Sequence, residues 1–95
     1  MKILHLDSTH SYLCTELEKL GFTNLFDFKS SKNEIENKIS NYYGIILRSR
    51  ISIDKSLMNK ATNLKFIARI GSGTENIDVE YAKKNKIEII SSPEG

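Results

Sequence analysis

Leu64-Lys65-Phe66-Ile67-Ala68-Arg69-Ile70-Gly71-Ser72-Gly73-Thr74-Glu75-Asn76-Ile77-Asp78 is the stretch on which the fold turns. A short apolar run ends in an arginine, a Gly-Ser-Gly turn follows at once, and Asp78 opens a helical pattern from Val79 to Asn85. Strand, glycine turn and helix in that order make one unit of an alternating α/β chain. The same turn can receive a small anion. Glycine lets the backbone come close to a ligand, and free amides in such a turn point at negative charge. Arg69 adds a planar fork of donors suited to a carboxylate or phosphate.

Outward from this stretch the pattern repeats. Ile3–Leu6 is an apolar run without polar alternation, as expected of a strand buried on both faces. Leu13, Leu17 and Leu20 recur at helical spacing, and Gly21 follows as a C-terminal cap. Asn24–Phe28 reads as a second strand. Ser31 and Glu34 have capping-box spacing, which predicts a helix from about Lys32 to about Asn41. Gly44–Leu47 reads as a third strand, Ile53–Ala61 as a helix with Ser52 as N-cap, Leu64–Ala68 as the fourth strand and Ile87–Ile90 as the fifth. Five strands interleaved with four helices predict an open parallel sheet. Right-handed crossovers favour a flavodoxin-like order 2-1-3-4-5, with helices on both faces.

Composition narrows the function classes. Ninety-five residues suit a single domain. Fourteen basic against twelve acidic residues leave a net charge of +2, which argues against a dedicated nucleic-acid binder. Lys83, Lys84 and Lys86 read as a solvated helix end. The one cysteine, Cys14, excludes an internal disulfide and fits a reducing compartment. The polar N-terminus does not read as a signal peptide, and the longest apolar run, Tyr42–Leu47, is far too short to span a bilayer. A cytoplasmic location is the default expectation.

Ligands of open parallel sheets bind beyond the carboxyl ends of the strands. The residues there are Asp7, then Arg48, Ser49 and Arg50, then Arg69 and the Gly71-Ser72-Gly73 turn. In the expected order the third and fourth strands lie ~5 Å apart, so Arg48 and Arg69 could reach one ligand. Arg50 reads as a surface residue, Asp7 as a turn or cap residue, and Asn76 and Asp78 as turn and cap residues. His5 reads as a satisfied strand histidine, His10 as an exposed loop residue, Cys14 as core filling, and Tyr42 and Tyr43 as strand-edge packing. Neither histidine has a second ligand at metal spacing, so no metal is assigned. Position 76 is Asn, so the glycine turn is not a dinucleotide fingerprint.

Arg69-Ile70-Gly71-Ser72-Gly73-Thr74-Glu75-Asn76-Ile77-Asp78 also resembles the Arg-x-Gly-(Thr/Ser)-Gly-x-(Asp/Glu)-Asn-(Val/Ile)-Asp stretch of the D-isomer-specific 2-hydroxyacid dehydrogenases. The likeness runs upstream through Ile45–Arg50 and downstream through Ile87–Gly95. Within the family it is greatest to members acting on 3-phosphoglycerate. The resemblance implies a substrate domain of flavodoxin-like fold at residues 1–90, with 91–95 opening a crossover to an NAD-binding Rossmann domain. It implies that Arg48, Ser49, Arg69, Gly71 and Gly73 hold the substrate's carboxylate and phosphate, and that Ser72 borders the NAD pocket. It further implies serine biosynthesis and a homodimer for the intact enzyme. The family's catalytic Arg, Glu and His have no counterpart here, so these 95 residues alone are expected to be inactive.

Two rivals from other classes remain. A receiver-like regulatory domain would need an acidic pair after the first strand, an Asp after the third and a Lys after the fifth. The chain has only Asp7, then Arg48 and Ser49, then Ser91 at those places. A stand-alone anion-binding module is the other reading.

Overall fold

The structure is a computed structural model, and it describes residues 1–8, 11–71 and 76–92. Strands β1 (Lys2–His5), β2 (Thr23–Phe26), β3 (Gly44–Leu47), β4 (Phe66–Ile70) and β5 (Glu88–Ser92) form one sheet in the order β2-β1-β3-β4-β5, and every pairing is parallel. Helices α1 (Ser11–Lys19), α2 (Lys32–Lys38), α3 (Lys55–Lys60) and α4 (Val79–Lys84) alternate with them. The flavodoxin-like order expected from the alternation is the order observed.

Side chains in register share a face. Leu25, Leu4, Ile45, Ile67 and Ile89 line one face, and with Ile35 and Ile39, Leu57 and Met58, and Ala82 they build the main core under α2, α3 and α4. The opposite face carries Ile3, His5 and Ile46, all buried outside that core. α1 lies over this second face. Its Cys14 Sγ stands 3.9 Å from His5 Nε2, and its Cys14 carbonyl accepts Asn24 Nδ2 at 3.0 Å.

Element bounds differ from the sequence reading where turns compete. Gly21, at φ +94°, closes α1 with Gly21 N–H to Glu18 O at 3.0 Å and Phe22 N–H to Leu17 O at 3.1 Å, the paired bonds of a Schellman end. Leu20 therefore lies beyond the helix and is 73% exposed, so it is not on the packed face as its spacing predicted. α2 has the expected capping box but tightens into a 3₁₀ turn at Ile39–Asn41. α3 starts later than predicted, and its cap is Asp54, whose side chain accepts Leu57 N–H. Ser52 does not cap it. β4 begins at Phe66 because Leu64 closes the turn after α3, its N–H donating to Ala61 O at 3.2 Å. β5 runs through Ser92, two residues past its predicted end. Lys83, Lys84 and Lys86 are exposed, as a solvated helix end should be.

Between α2 and α3 a small ionic cluster sits beside the apolar core. Buried Glu36 accepts Lys32 Nζ at 2.8 Å and Ser56 Oγ at 3.2 Å, and Lys32 also reaches Asp54 at 3.0 Å. The Lys32 ammonium holds the Glu36 carboxyl below its ordinary range.

Candidate functional site

The carboxyl ends of β1, β3 and β4 are tied together by polar side chains, and this edge carries the candidate residues. Asp7, after β1, accepts the backbone N–H of Arg48 at 2.6 Å and of Arg50 at 3.3 Å. The amides of the turn after β3 are thereby used by the chain's own carboxylate. Asp7 is thus the anchor that sets where Arg48 emerges.

Arg50 is exposed, as expected, but it is not idle. Its Nε donates to Leu6 O at 2.8 Å, one terminal nitrogen to Ser30 O at 2.7 Å and the other to Asp27 O at 2.8 Å. It clamps the carboxyl ends of β1 and β2 against the lead of α2. Asp27 in turn pairs with Lys38, and that ammonium holds its carboxyl far below the ordinary range.

Arg48 and Arg69 are both half-buried at the carboxyl edge. Arg48 Nε donates to Ser8 O at 3.0 Å, so its side chain leans toward the end of β1. Arg69, in register with Leu47 and Ser91, donates from Nε to Asn76 Oδ1 at 3.2 Å and from a terminal nitrogen to Ile70 O. Two of its five N–H donors are used in this way, and three remain among the described residues. Gly71 sits at φ +121°, and a Cβ there would lie 2.6 Å from an Arg69 terminal nitrogen. Glycine is therefore required both for the turn and for the pose of the guanidinium. Ser49 is exposed in the turn after β3. Gly73 and Ser72 lie outside the described residues, as does His10.

Asn76 does more than form a turn. Its Nδ2 donates to Ile51 O at 3.1 Å and to Arg48 O at 3.4 Å while its Oδ1 accepts Arg69. The main chain reinforces the link. Ile53 N–H donates to Asn76 O at 2.7 Å, Asp78 N–H donates to Ile53 O at 2.9 Å, and Ile53 pairs with Ile77 as an isolated parallel bridge. The segments after β3 and β4 are one unit. No spacing rule marks Asn76 for this role. The only signal in the sequence was an amide side chain, a donor and an acceptor together, in the turn that follows Arg69.

His5 is fully buried, but only partly satisfied. Nε2 is 2.7 Å from Asn24 Oδ1, and Nδ1 has no partner. Burial lowers its pKa, against a smaller upward pull from the Asn24 hydrogen bond. Burial and the nearby Glu18 push the half-buried Cys14 thiol up, so it has the character of packing and not of a nucleophile. A cleft of about 230 Å³ between α3 and α4, lined by Asn59, Lys65, Tyr81 and Asn85, opens at the amino ends of β4 and β5, away from both arginines. Among the described residues no cluster of His, Cys, Asp or Glu could hold a metal, and no helix is long and apolar enough to cross a membrane. The β1–α1 connection, where a dinucleotide fingerprint would sit, contains no glycine, and the first glycine of the chain is Gly21. The described residues therefore do not fit an NAD cradle.

Known proteins share sequence and fold with this chain. The chain is 28% identical, over its full length, to a D-3-phosphoglycerate dehydrogenase of Archaeoglobus fulgidus, and it spans 18% of that protein. It is 32% identical over 94 residues, 99% of its length, to a D-3-phosphoglycerate dehydrogenase of Methanocaldococcus jannaschii, again spanning 18% of the relative. The structure of NAD+-bound 3-phosphoglycerate dehydrogenase of Entamoeba histolytica superimposes with a TM-score of 0.83 at 26% identity, over 96% of this chain and 32% of that one. Residues 3–95 match the family described as D-isomer specific 2-hydroxyacid dehydrogenase, catalytic domain. A match that runs through all five strands and both arginine positions means that this chain belongs to the D-isomer specific 2-hydroxyacid dehydrogenase family, within its catalytic domain.

Proposed function

We propose that the chain is the substrate-binding part of an NAD-dependent D-2-hydroxyacid dehydrogenase, that its substrate is 3-phosphoglycerate, and that the intact enzyme serves serine biosynthesis. The observation that carries this reading is Arg69: a half-buried guanidinium at the carboxyl edge of a parallel sheet, with three donors left for a ligand. Arg48, one strand away, supplies a second cation, and two cations suit a substrate with both a carboxylate and a phosphate. Ser49 and the Gly71–Gly73 turn complete the pocket, with Ser72 at its NAD side. Relatives named for 3-phosphoglycerate support the substrate. In this reading residues 1–90 are the substrate domain and 91–95 open the crossover. The cofactor and the acid–base pair belong to a second domain, and the intact enzyme is a cytoplasmic homodimer.

The test is kinetic. In the intact enzyme, Arg48→Ala or Arg69→Ala should lower kcat/KM for 3-phosphoglycerate by ~1.5–3 kcal/mol, or roughly 10- to 200-fold, with KM for NAD little changed. The arginine that holds phosphate should matter far less for an unphosphorylated 2-hydroxy acid. Lysine should restore only part of the loss, because a point charge does not reproduce the planar fork. The 95-residue chain assayed alongside should give no turnover. Unchanged kinetics in both variants would return the arginines to a structural role.

A further inference from the structure

We propose that Asn76 is a positioning residue for Arg69, an assignment that rests on the substrate-binding reading of Arg69. The chemistry of its partners fixes the amide's orientation. Ile51 O and Arg48 O can only accept, and the guanidinium can only donate, so Nδ2 must face the carbonyls and Oδ1 must face Arg69 Nε. Reversing the amide would oppose three like partners. Asn76 is itself held by its main chain, through the bond from Ile53 N–H and the neighbouring Ile53–Ile77 bridge.

Three polar contacts on one side chain therefore join the turn that carries Arg48 to the guanidinium of Arg69. The contact at Nε matters most. Nε is the donor nearest the flexible stem, so a bond there restricts the stem while leaving one terminal nitrogen and part of the other for a ligand. An arginine ordered before binding loses less rotamer freedom when the substrate arrives. Gly71 acts on the same group from the other side, since any side chain there would strike it. Asn76 touches no substrate in this scheme. It acts through Arg69, and its loss should appear in substrate KM.

The experiment is a double-mutant cycle in the full-length protein, read as KM for 3-phosphoglycerate, KM for NAD, kcat and Tm. Asn76→Ala should raise KM for 3-phosphoglycerate roughly 10-fold, with a smaller change in kcat and none in KM for NAD. In the Arg69→Ala background the same substitution should add less than about 2-fold, because its target is gone. A merely structural Asn76 would lower Tm and add its full effect on KM in both backgrounds, which would overturn the assignment. So would an unchanged KM in Asn76→Ala when Arg69→Ala raises it. If Arg69→Ala itself leaves KM unchanged, the substrate reading of the site has failed, and the assignment falls with it. Should Asn76→Ala not fold, Asn76→Ser takes its place. It keeps a polar group on the turn but is too short to span to Nε.

Discussion

Gly71 shows how much one residue can decide at this edge. Its φ of +121° is unfavourable for any residue with a Cβ, and that Cβ would stand 2.6 Å from the Arg69 guanidinium. The group in the way is the far end of a flexible side chain, so the arginine would yield and the strand would stay. Gly71→Ala should therefore cost ~1–3 kcal/mol of stability from backbone strain. It should also raise substrate KM in the intact enzyme about as much as Asn76→Ala does. Denaturant unfolding and steady-state kinetics read the two effects separately. A variant with wild-type KM would show that the pose of Arg69 does not depend on the space at Gly71. Gly44 presents a tighter contact, with a notional Cβ 2.3 Å from the Phe66 ring, but there the constraint is packing on the sheet and not ligand geometry.

At the scale of elements, short helices depend on their first turns. α3 has six residues, and its first turn is held by the Asp54 carboxylate accepting Leu57 N–H at 3.1 Å. Asp54 also meets Lys32 of α2, so one residue caps one helix and docks it to another. Asp54→Ala should cost ~1 kcal/mol or more, and Ser52→Ala should be close to neutral. Urea midpoints of the two variants decide the point, and a larger loss at Ser52 would show that the helix starts earlier than described. Serine and aspartate both favour N-caps, and both precede this helix at suitable places. The expected cap was Ser52, but Ile53 turns inward to pair with Ile77 and keeps the chain extended up to Asp54, which caps the helix instead.

For the molecule as a whole, the two faces of the sheet are covered unequally. Among the described residues three helices cover one face and α1 alone covers the other, where Ile90 is 43% exposed and Phe26 is 56% exposed. His5 lies in the buried part of that second face, stacked on Phe26 at 4.8 Å. Asn24 donates through Nδ2 to Cys14 O, so its Oδ1 faces His5 and Nε2 carries the proton. Nδ1 is then a bare, unpartnered acceptor, and protonating it would bury a charge with no partner. The folded-state pKa lies below the ordinary 6.5, so between the two values the unfolded chain binds more protons than the folded one. Stability should be full above about pH 6.5 and fall as the pH drops below it, and the acidic slope of Asp27 should follow at lower pH. Unfolding free energies from pH 7.5 to 5 measure this. His5→Gln should flatten the slope in that range. An unchanged slope would assign it to other groups.

The alternation of apolar runs and helical patterns was enough for the sequence by itself to determine a parallel five-stranded sheet and its order. Period and turn chemistry are local, and handedness leaves few ways to connect the pieces. It also put Arg48 just past the third strand, and the ordered Arg-x-Gly-x-Gly motif pointed to the family, whereas Arg69, expected beyond the fourth strand, is the penultimate residue of β4. Tertiary structure alone decided how the polar groups at that edge are shared. Asp7 takes the amides of the turn after β3, Arg50 spends its fork on three carbonyls, and Asn76 joins residues 25 and 7 positions away. These are pairings between segments distant in the chain. Each residue type admits many partners, and only the folded distances select among them.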